Sequence, residues 1–181
     1  MKKLLLLSLC LFGLHAHAAD APVPAAKASA TRHAPAAATT AFLAALPMQY
    51  AVQTKRGKGR RHIVVFEDPN CPYCKIFHRT IQDVDDLTIH TFVLDVLGPD
   101  SVAKARAIWC APDQGKALEA WMLRGLAPAE AGAACENPRA QLLALAQSLN
   151  VNGTPTIFFA DGSRAGAIVN SAQFEKQLAG R

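Results

Sequence analysis

After its N-terminal region, this chain of 181 residues has no apolar run long enough to form a membrane-spanning helix. It has a single Cys-x-x-Cys pair, so it lacks the two pairs that a structural zinc site usually uses. It also has only three methionines and no internal repeat. Its formal net charge of +5 is mild and does not indicate nucleic-acid binding. What it has is a hydrophobic fraction of 51%, enough for one globular domain with a sizeable core.

The first 18 residues have the pattern of a secretory signal peptide. Two lysines precede an apolar run at residues 4–14, and Ala16-His17-Ala18 has the A-x-A form of a cleavage site. The apolar run is too short for a transmembrane helix. We therefore predict that the protein is exported and that Cys10 is removed with the signal.

Residues 19–46 form an alanine- and proline-rich segment that we predict to be a disordered tether, with one helical turn near its end. Residues 47–181 are predicted to form a single domain. Near the start of this domain, residues 55–61 (Lys-Arg-Gly-Lys-Gly-Arg-Arg) are strongly basic. We predict a solvated hairpin loop there. A docking patch for an acidic partner or an anionic membrane surface is the alternative.

The motif Cys71-Pro72-Tyr73-Cys74 lies between a predicted strand at residues 62–66 and a predicted helix at residues 74–84. Pro72 suits the first position of a helix, where its missing N–H costs no hydrogen bond. Cys71 is therefore expected at the helix N-terminus, where free N–H groups and the helix dipole favour an anionic sulfur. The thiolate is the reactive form of cysteine, and Cys74 lies one helical turn away. The motif predicts a redox dithiol; a metal site and an inert structural pair are the alternatives.

Four cysteines remain after the predicted cleavage: Cys71, Cys74, Cys110 and Cys135. An even number fits disulfide formation in an exported protein, and four cysteines allow three pairings. We favour Cys71–Cys74 together with Cys110–Cys135. The second pair would close a loop of roughly 25 residues and stabilise the fold, whereas the first closes almost no loop. Two free buried thiols at Cys110 and Cys135 are the alternative.

The predicted elements follow the order β-α-β, then a helical block, then β-β-α. Besides the dithiol strand and helix, they are an edge strand at 48–54, a strand at 87–96, helices at 100–110, 115–123 and 138–149, strands at 156–160 and 165–169, and a closing helix ending at 178. Asn137 and Ser171 are the predicted N-caps of the last two helices. This order is the thioredoxin arrangement with a helical insertion, an α/β fold whose mixed sheet carries helices on both faces.

The sequence Gly153-Thr154-Pro155-Thr156 places a proline directly before a predicted strand. X–Pro bonds adopt the cis form at modest cost, usually in a tight turn. With the dithiol upstream and β-β-α downstream, we predict a cis bond between Thr154 and Pro155. Such a loop would leave an open backbone edge for an extended peptide beside the dithiol. A trans proline that begins a strand is the alternative.

Over residues 63–178 these features resemble the DsbC/DsbG family of bacterial periplasmic thiol:disulfide isomerases, in its thioredoxin-like catalytic domain. The shared motifs are Val65-Phe66-Glu67-Asp68 before the dithiol, His78 on its helix, Ala107-Ile108-Trp109-Cys110-Ala111, Cys135, and Val151-Asn152-Gly153-Thr154-Pro155-Thr156. The Trp-Cys pattern and its partner cysteine are more specific than the dithiol, which many thioredoxin relatives share.

The resemblance implies a role for each motif and a location in the periplasm. Cys71 would be the nucleophile, Cys74 would resolve the mixed disulfide, and Thr154-Pro155 would be the cis-proline pair. Cys110–Cys135 would be a structural disulfide. Family members also carry an N-terminal dimerisation domain before the catalytic domain. The residues that precede residue 63 are too few for it, so we expect that domain to be absent and the chain to be monomeric.

The expected activity is thiol:disulfide exchange on disulfide-containing exported proteins, as an isomerase, reductase or oxidase. Pro72, Tyr73, Thr154 and Pro155 are the candidate substrate-binding residues. A membrane redox partner is expected, and no cofactor, metal ion or nucleic acid. The alternative function is a periplasmic Cu(I) metallochaperone that uses the same dithiol, because soft thiolates suit Cu(I).

Three polar residues near the dithiol each have two alternative roles. Glu67 and Asp68 lie close enough in sequence to tune the dithiol or relay protons, and a solvated strand end is the equally weighted alternative. His78 is expected to pack or to lie at the helix surface rather than to act in catalysis. Trp109 and Trp121 are expected in the core rather than at a substrate surface.

Overall fold

The computed structural model describes residues 36–179 and 181, with side chains from residue 41 onward. The predicted signal peptide lies outside the described residues. The helices are α1 (Ala36–Ala45), α2 (Pro72–Thr80), α3 (Pro99–Trp109), α4 (Gln114–Arg124), α5 (Arg139–Ser148) and α6 (Ser171–Leu178), with a short 3-10 turn at Met48–Tyr50. The strands are β1 (Val52–Arg56), β2 (Arg61–Glu67), β3 (Leu87–Val93) and β4 (Thr156–Phe159).

The four strands form one mixed sheet in the order β1-β3-β2-β4. The central strands β2 and β3 are parallel, while β1 pairs antiparallel with β3 and β4 antiparallel with β2. A parallel pair requires a crossover, and helix α2 provides it. The sheet topology and the helices around it confirm the predicted thioredoxin-like α/β fold with a helical insertion.

The central strands are buried on both faces, in keeping with the continuous apolar run at residues 63–66 of β2. On one face, Ile63 and Val65 of β2 belong to a core cluster with Phe77 of α2 and Phe174 of α6. On the other face, the neighbouring residues of β2 and β3 pack with α5 and with the C-terminal part of α1. The alternation of side chains along each strand therefore supplies two cores from one sheet.

The helical insertion between β3 and β4 builds a third core cluster, and this one includes both cysteines of the dithiol. Ile108 of α3 and Leu118 and Met122 of α4 pack in the same cluster as Cys71 and Cys74. Helix α4 also approaches β1 very closely. A side chain at Gly115 would place its Cβ 2.6 Å from the backbone oxygen of Gln53, so only glycine fits there.

Several sequence-based boundaries were wrong. Strands β1 and β2 do not form a hairpin, because β3 lies between them. Residues 165–169 do not form a strand; the only pairing in this region is an isolated bridge between Phe158 and Arg164. Val169 is 74% exposed, so the apolar segment buries too little to hold a full strand. The side chain that caps α6 is Asn170, not Ser171, and α5 has no side-chain cap from Asn137.

Helix α1 falls inside the segment predicted to be a tether, and Phe42, Leu43 and Leu46 at its end pack against the core. The boundary between tether and domain remains a prediction. Among the described helices, none combines the length and the hydropathy that a membrane crossing requires.

Two histidines stack on neighbouring strands near one end of the sheet. His62 of β2 and His90 of β3 have ring centroids 5.4 Å apart, and their Nδ1 and Nε2 atoms are 3.1 Å apart. Burial, and then the charge of His62, lowers the pKa of His90 to about 4. Burial, and then the charge of Lys55, lowers the pKa of His62 as well. Both rings are therefore neutral at pH 7.

Candidate active site

Cys71 is the N-cap residue of helix α2, as the sequence predicts. Its backbone is extended, and its Sγ accepts a hydrogen bond from the backbone N–H of Cys74 at 3.4 Å. The thiol also contacts the backbone oxygen of Thr154 at 3.2 Å. Only 4% of the residue is exposed. A sulfur in this position lies where the free N–H groups of the first turn favour a negative charge.

Cys74 lies deeper in the same site and has a different environment. It is fully buried within the first turn of α2. Burial, and next the negative charge of Glu67, raises the pKa of the Cys74 thiol well above its usual value. Both cysteines are free thiols, so the structure does not contain the favoured Cys71–Cys74 disulfide and shows the reduced dithiol. The site therefore contains an outer sulfur at a helix N-terminus and an inner sulfur that is held in the protonated form.

The Thr154-Pro155 peptide bond is cis, and its loop lies directly against Cys71. Pro72 and Tyr73, which follow Cys71 in the sequence, are both exposed, and Tyr73 lines one groove together with Thr154 and Pro155. The structure thus brings all four candidate substrate-binding residues together around the outer thiol. Two grooves border this loop. One of about 430 Å³ is lined by Tyr73 and residues 154–157 and 164–168, and one of about 380 Å³ runs from Val96 to Thr154.

Glu67 and His78 are buried hydrogen-bond partners next to the inner thiol. Both oxygens of the Glu67 carboxylate lie 2.9 Å from His78 Nε2, and both side chains are almost fully inaccessible. His78 is four residues after Cys74 on the buried face of α2, so their side chains are neighbours on the helix. The Nδ1 atom of His78 is buried and has no hydrogen-bond partner among the residues that the structure describes. Glu67 is therefore not a solvated strand end, and His78 packs inside the protein rather than lying at the helix surface.

Asp68 is fully buried and accepts hydrogen bonds from the loop that precedes Cys71, from the segment after β3 and from helix α3. Trp121 also contacts this loop, because its Nε1 donates to the backbone oxygen of Pro69 at 2.6 Å. Sequence reasoning named Asp68 and Trp121, but not Ser101, the partner of Asp68 on α3. No sequence signal connects positions that lie more than thirty residues apart.

Cys110 and Cys135 form a disulfide bond. Cys110 ends helix α3, and Arg106 of the same helix donates hydrogen bonds to the backbone oxygens of Cys135 and Gly132. The bond therefore attaches the end of α3 to the irregular segment that leads to α5. It lies at the opposite end of α3 from the residues that contact the dithiol loop.

The basic residues at 55–61 are largely neutralised by neighbouring carboxylates. Arg56 pairs with Glu119 at 3.4 Å, and Arg61 pairs with Glu175. The guanidinium of Arg60, through its hydrogen bond, lowers the pKa of the Asp86 carboxyl. Because the three arginines pair with carboxylates of the same chain, their charges are less available to an acidic partner or a membrane. This weakens the docking-patch alternative. In the part of the chain that the structure describes, no three metal-ligating side chains lie together.

Comparisons with known proteins agree with this geometry. The family model of the thioredoxin-like domain matches residues 48–180. A probable thiol:disulfide interchange protein DsbC from Bordetella avium is 47% identical over 133 residues, which are 74% of this chain and 47% of that protein. The thiol:disulfide interchange protein DsbC of Escherichia coli K12 is 33% identical over 109 residues, which are 57% of this chain and 44% of that protein. This chain thus spans about half the length of the curated relatives it matches.

A solved structure gives a match over nearly its full length. The crystal structure of a disulfide interchange protein from Neisseria gonorrhoeae superposes with a TM-score of 0.69 at 33% identity, covering 75% of this chain and 97% of that one. None of these matches favours the Cu(I)-binding alternative. The thioredoxin-like family model and the match to the Neisseria gonorrhoeae protein together show that this chain belongs to the thioredoxin-like domain family, among its disulfide interchange proteins.

Proposed function

We propose that this chain is a periplasmic thiol:disulfide oxidoreductase that acts on disulfide-containing exported proteins through Cys71-Pro72-Tyr73-Cys74. The observation that supports this most directly is the unequal pair of free thiols. Cys71 caps a helix and abuts the Thr154-Pro155 loop, whereas Cys74 is buried beside Glu67. Cys71 is therefore suited to attack a substrate disulfide, and Cys74 is suited to resolve the mixed disulfide that results.

In the first step, the Cys71 thiolate attacks one sulfur of a substrate disulfide. A bond forms between Cys71 Sγ and that sulfur, the substrate S–S bond breaks, and the second substrate sulfur leaves as a thiolate that takes a proton from water. The N–H of Cys74, which bonds Cys71 Sγ, stabilises the attacking anion. The buried position of Cys71 requires the substrate cysteine to approach in an extended segment.

In the second step, Cys74 loses its proton and attacks Cys71 Sγ. The Cys71–Cys74 disulfide forms, and the substrate sulfur is released and protonated, so the substrate gains two electrons and the dithiol loses two. Cys74 needs a base because its pKa is raised. The adjacent Glu67–His78 pair is the candidate acceptor, since carboxylate and imidazole groups are common general bases and both are buried close to the Cys74 thiol.

Substrate binding is proposed to involve Pro72, Tyr73, Thr154 and Pro155, which surround the outer thiol. The two grooves beside the Thr154-Pro155 loop would receive the residues on either side of the substrate cysteine. The groove of about 430 Å³ contains exposed apolar surface from Tyr73 and Ile76. This composition fits unfolded or extended segments with apolar side chains.

Other parts of the proposal concern the whole protein. A signal peptide at residues 1–18 would direct export, residues 19–46 would tether the domain, and Cys110–Cys135 would be structural. A membrane redox partner would return the dithiol to its working state, and the chain would act as a monomer. Whether that state is reduced, as in an isomerase or reductase, follows from the redox state of Cys71 and Cys74 trapped by alkylation in intact cells.

The test of the activity is turnover of insulin disulfides and of scrambled ribonuclease. We expect the wild-type chain to catalyse both, Cys71→Ser to abolish them, and Cys74→Ser to accumulate mixed disulfides that resist resolution. If both cysteine variants kept full activity, the assignment of the active site would be refuted. A faster alkylation of Cys74 than of Cys71 would reverse the two roles.

A further inference from the structure

We propose that Asp68 is a positioning residue for Cys71, and that it acts by fastening the dithiol loop to helix α3 of the insertion. The inference deepens the proposed function and rests on it. It assigns to the insertion a part in the redox site, beyond its contribution to the core.

The hydrogen bonds of Asp68 exclude a role in proton relay. Oδ1 accepts from the backbone N–H of Asn70 at 2.8 Å and from the Ser101 hydroxyl at 2.7 Å. Oδ2 accepts from the backbone N–H groups of Val96 and Leu97 at 2.8 and 3.0 Å. A carboxylate offers about four acceptor positions, and here all are occupied by donors. Asp68 is therefore an anchor for three segments.

The anchored loop leads directly to the reactive sulfur. The backbone N–H of Cys71 donates to the backbone oxygen of Asp68 at 3.0 Å, so a displacement of Asp68 displaces Cys71. The residues between them are also held by the insertion. Asn70 Nδ2 donates to Ser101 Oγ at 3.1 Å, and Trp121 of α4 donates to Pro69. Each of the three residues before Cys71 thus has a hydrogen bond to α3 or α4.

The position of Cys71 Sγ is narrowly defined by its partners. It must lie 3.4 Å from the N–H nitrogen of Cys74 and 3.2 Å from the oxygen of Thr154. A shift of about 1 Å would break both contacts, and misplacement of that size can reduce a rate by about 100-fold. The insertion therefore holds the attacking atom in place, because strand β2 and helix α2 alone leave the intervening loop without these hydrogen bonds.

Three substitutions separate positioning from general stabilisation. Asp68→Asn keeps the size of the side chain but replaces one carboxylate oxygen with an NH2 group. That group cannot accept the hydrogen bonds that the carboxylate oxygen accepts. Ser101→Ala removes the hydroxyl on α3 and is the milder change. Asp95→Asn is the matched control, because Asp95 is equally buried and precedes Val96, but it bonds Arg139 and does not contact the dithiol loop.

The measurements are the iodoacetamide alkylation rate of Cys71, followed by mass spectrometry, and the reduction potential of the dithiol against glutathione. Unfolding free energy is measured in parallel. We expect Asp68→Asn to slow alkylation about 10- to 100-fold and to make the potential more negative, since the reduced form loses its stabilised thiolate. Ser101→Ala should shift both in the same direction, and the double variant should add little to Asp68→Asn because the two residues share one contact.

Asp95→Asn should keep the wild-type rate and potential whatever its effect on stability. The inference is overturned if Asp68→Asn alters only the unfolding free energy, or if it and the control change the rate equally. If Asp68→Asn does not fold, wild-type values in Ser101→Ala overturn it. Alkylation of Cys71 needs no enzymatic turnover, so a wild-type chain inactive on insulin would refute the proposed function and not this inference.

Discussion

Removal of the Cys110–Cys135 disulfide tests how far the insertion depends on its covalent link. The two cysteines are 25 residues apart in sequence. Loop-closure entropy for that separation gives a stabilisation of about 3.5 kcal/mol at 25 °C. The double variant Cys110→Ala/Cys135→Ala should therefore lower the unfolding free energy by up to this amount. The hydrogen bonds of Arg106 to the backbone of the same segment would retain part of the link.

The same variant should leave the reactivity of Cys71 largely intact. Ser101, the residue of α3 that bonds Asp68, is nine residues before Cys110, which is about 13 Å along a helix. The end of α3 can therefore loosen while its start stays in place. The assay compares denaturant midpoints and insulin reduction per folded molecule. Wild-type protein treated with dithiothreitol is the control, because it breaks the bond without removing side-chain atoms. Unchanged stability with lost activity would mean that the second pair takes part in the redox reaction.

Three further predictions follow from the other features. Glu67→Gln should slow resolution of the mixed disulfide more than the alkylation of Cys71, as measured by stopped-flow with a disulfide peptide; equal slowing of both would contradict a role as base. The folded-state pKa of His90 is about 4. As the pH falls, His90 is therefore protonated in the unfolded chain before it is protonated in the folded chain. The unfolding free energy should fall by about 2 kcal/mol from pH 7 to pH 5. His90→Gln should flatten that dependence, and a wild-type curve flat over this range would contradict it. The chain as printed should be monomeric at micromolar concentration by light scattering, and a stable dimer would contradict this.

The fold was predictable where burial imposes a pattern on the sequence. The apolar β-branched run of β2 and the helical spacing of α2 indicated both elements. The predicted helix extended to residue 84, beyond the observed end of α2 at Thr80. Ile81 is apolar and buried like a residue of the helix, but it is the C-cap and lies outside helical geometry. The segment at 165–169 has the residue types of a strand and lacks the burial that would hold it in one. Residue types alone do not give burial.

The reactive cysteines of the site were predictable from the sequence, whereas the polar contacts that hold the site in place were not. Cys71 and Cys74 follow from local rules on helix N-termini, whereas the cis Thr154-Pro155 bond was predicted only in combination with the dithiol and the elements after it. The hydrogen bond between Glu67 and His78 depends on a strand and a helix facing each other, so periodicity could not reveal it. The contact of Asp68 with Ser101 depends on how the insertion folds back over the loop. Such long-range polar pairs have no local signature.

The close approach of α4 to β1 has a consequence for association with other chains. β1 is the outermost strand of the sheet, and an uncovered outer strand offers unpaired backbone groups to which a foreign strand can add. Because Gly115 has no side chain, α4 can lie against the backbone oxygen of Gln53. A foreign strand that added next to Gln53 would therefore meet α4. If the chain acts on unfolded polypeptides as proposed, this close contact limits the addition of their strands at that point of β1.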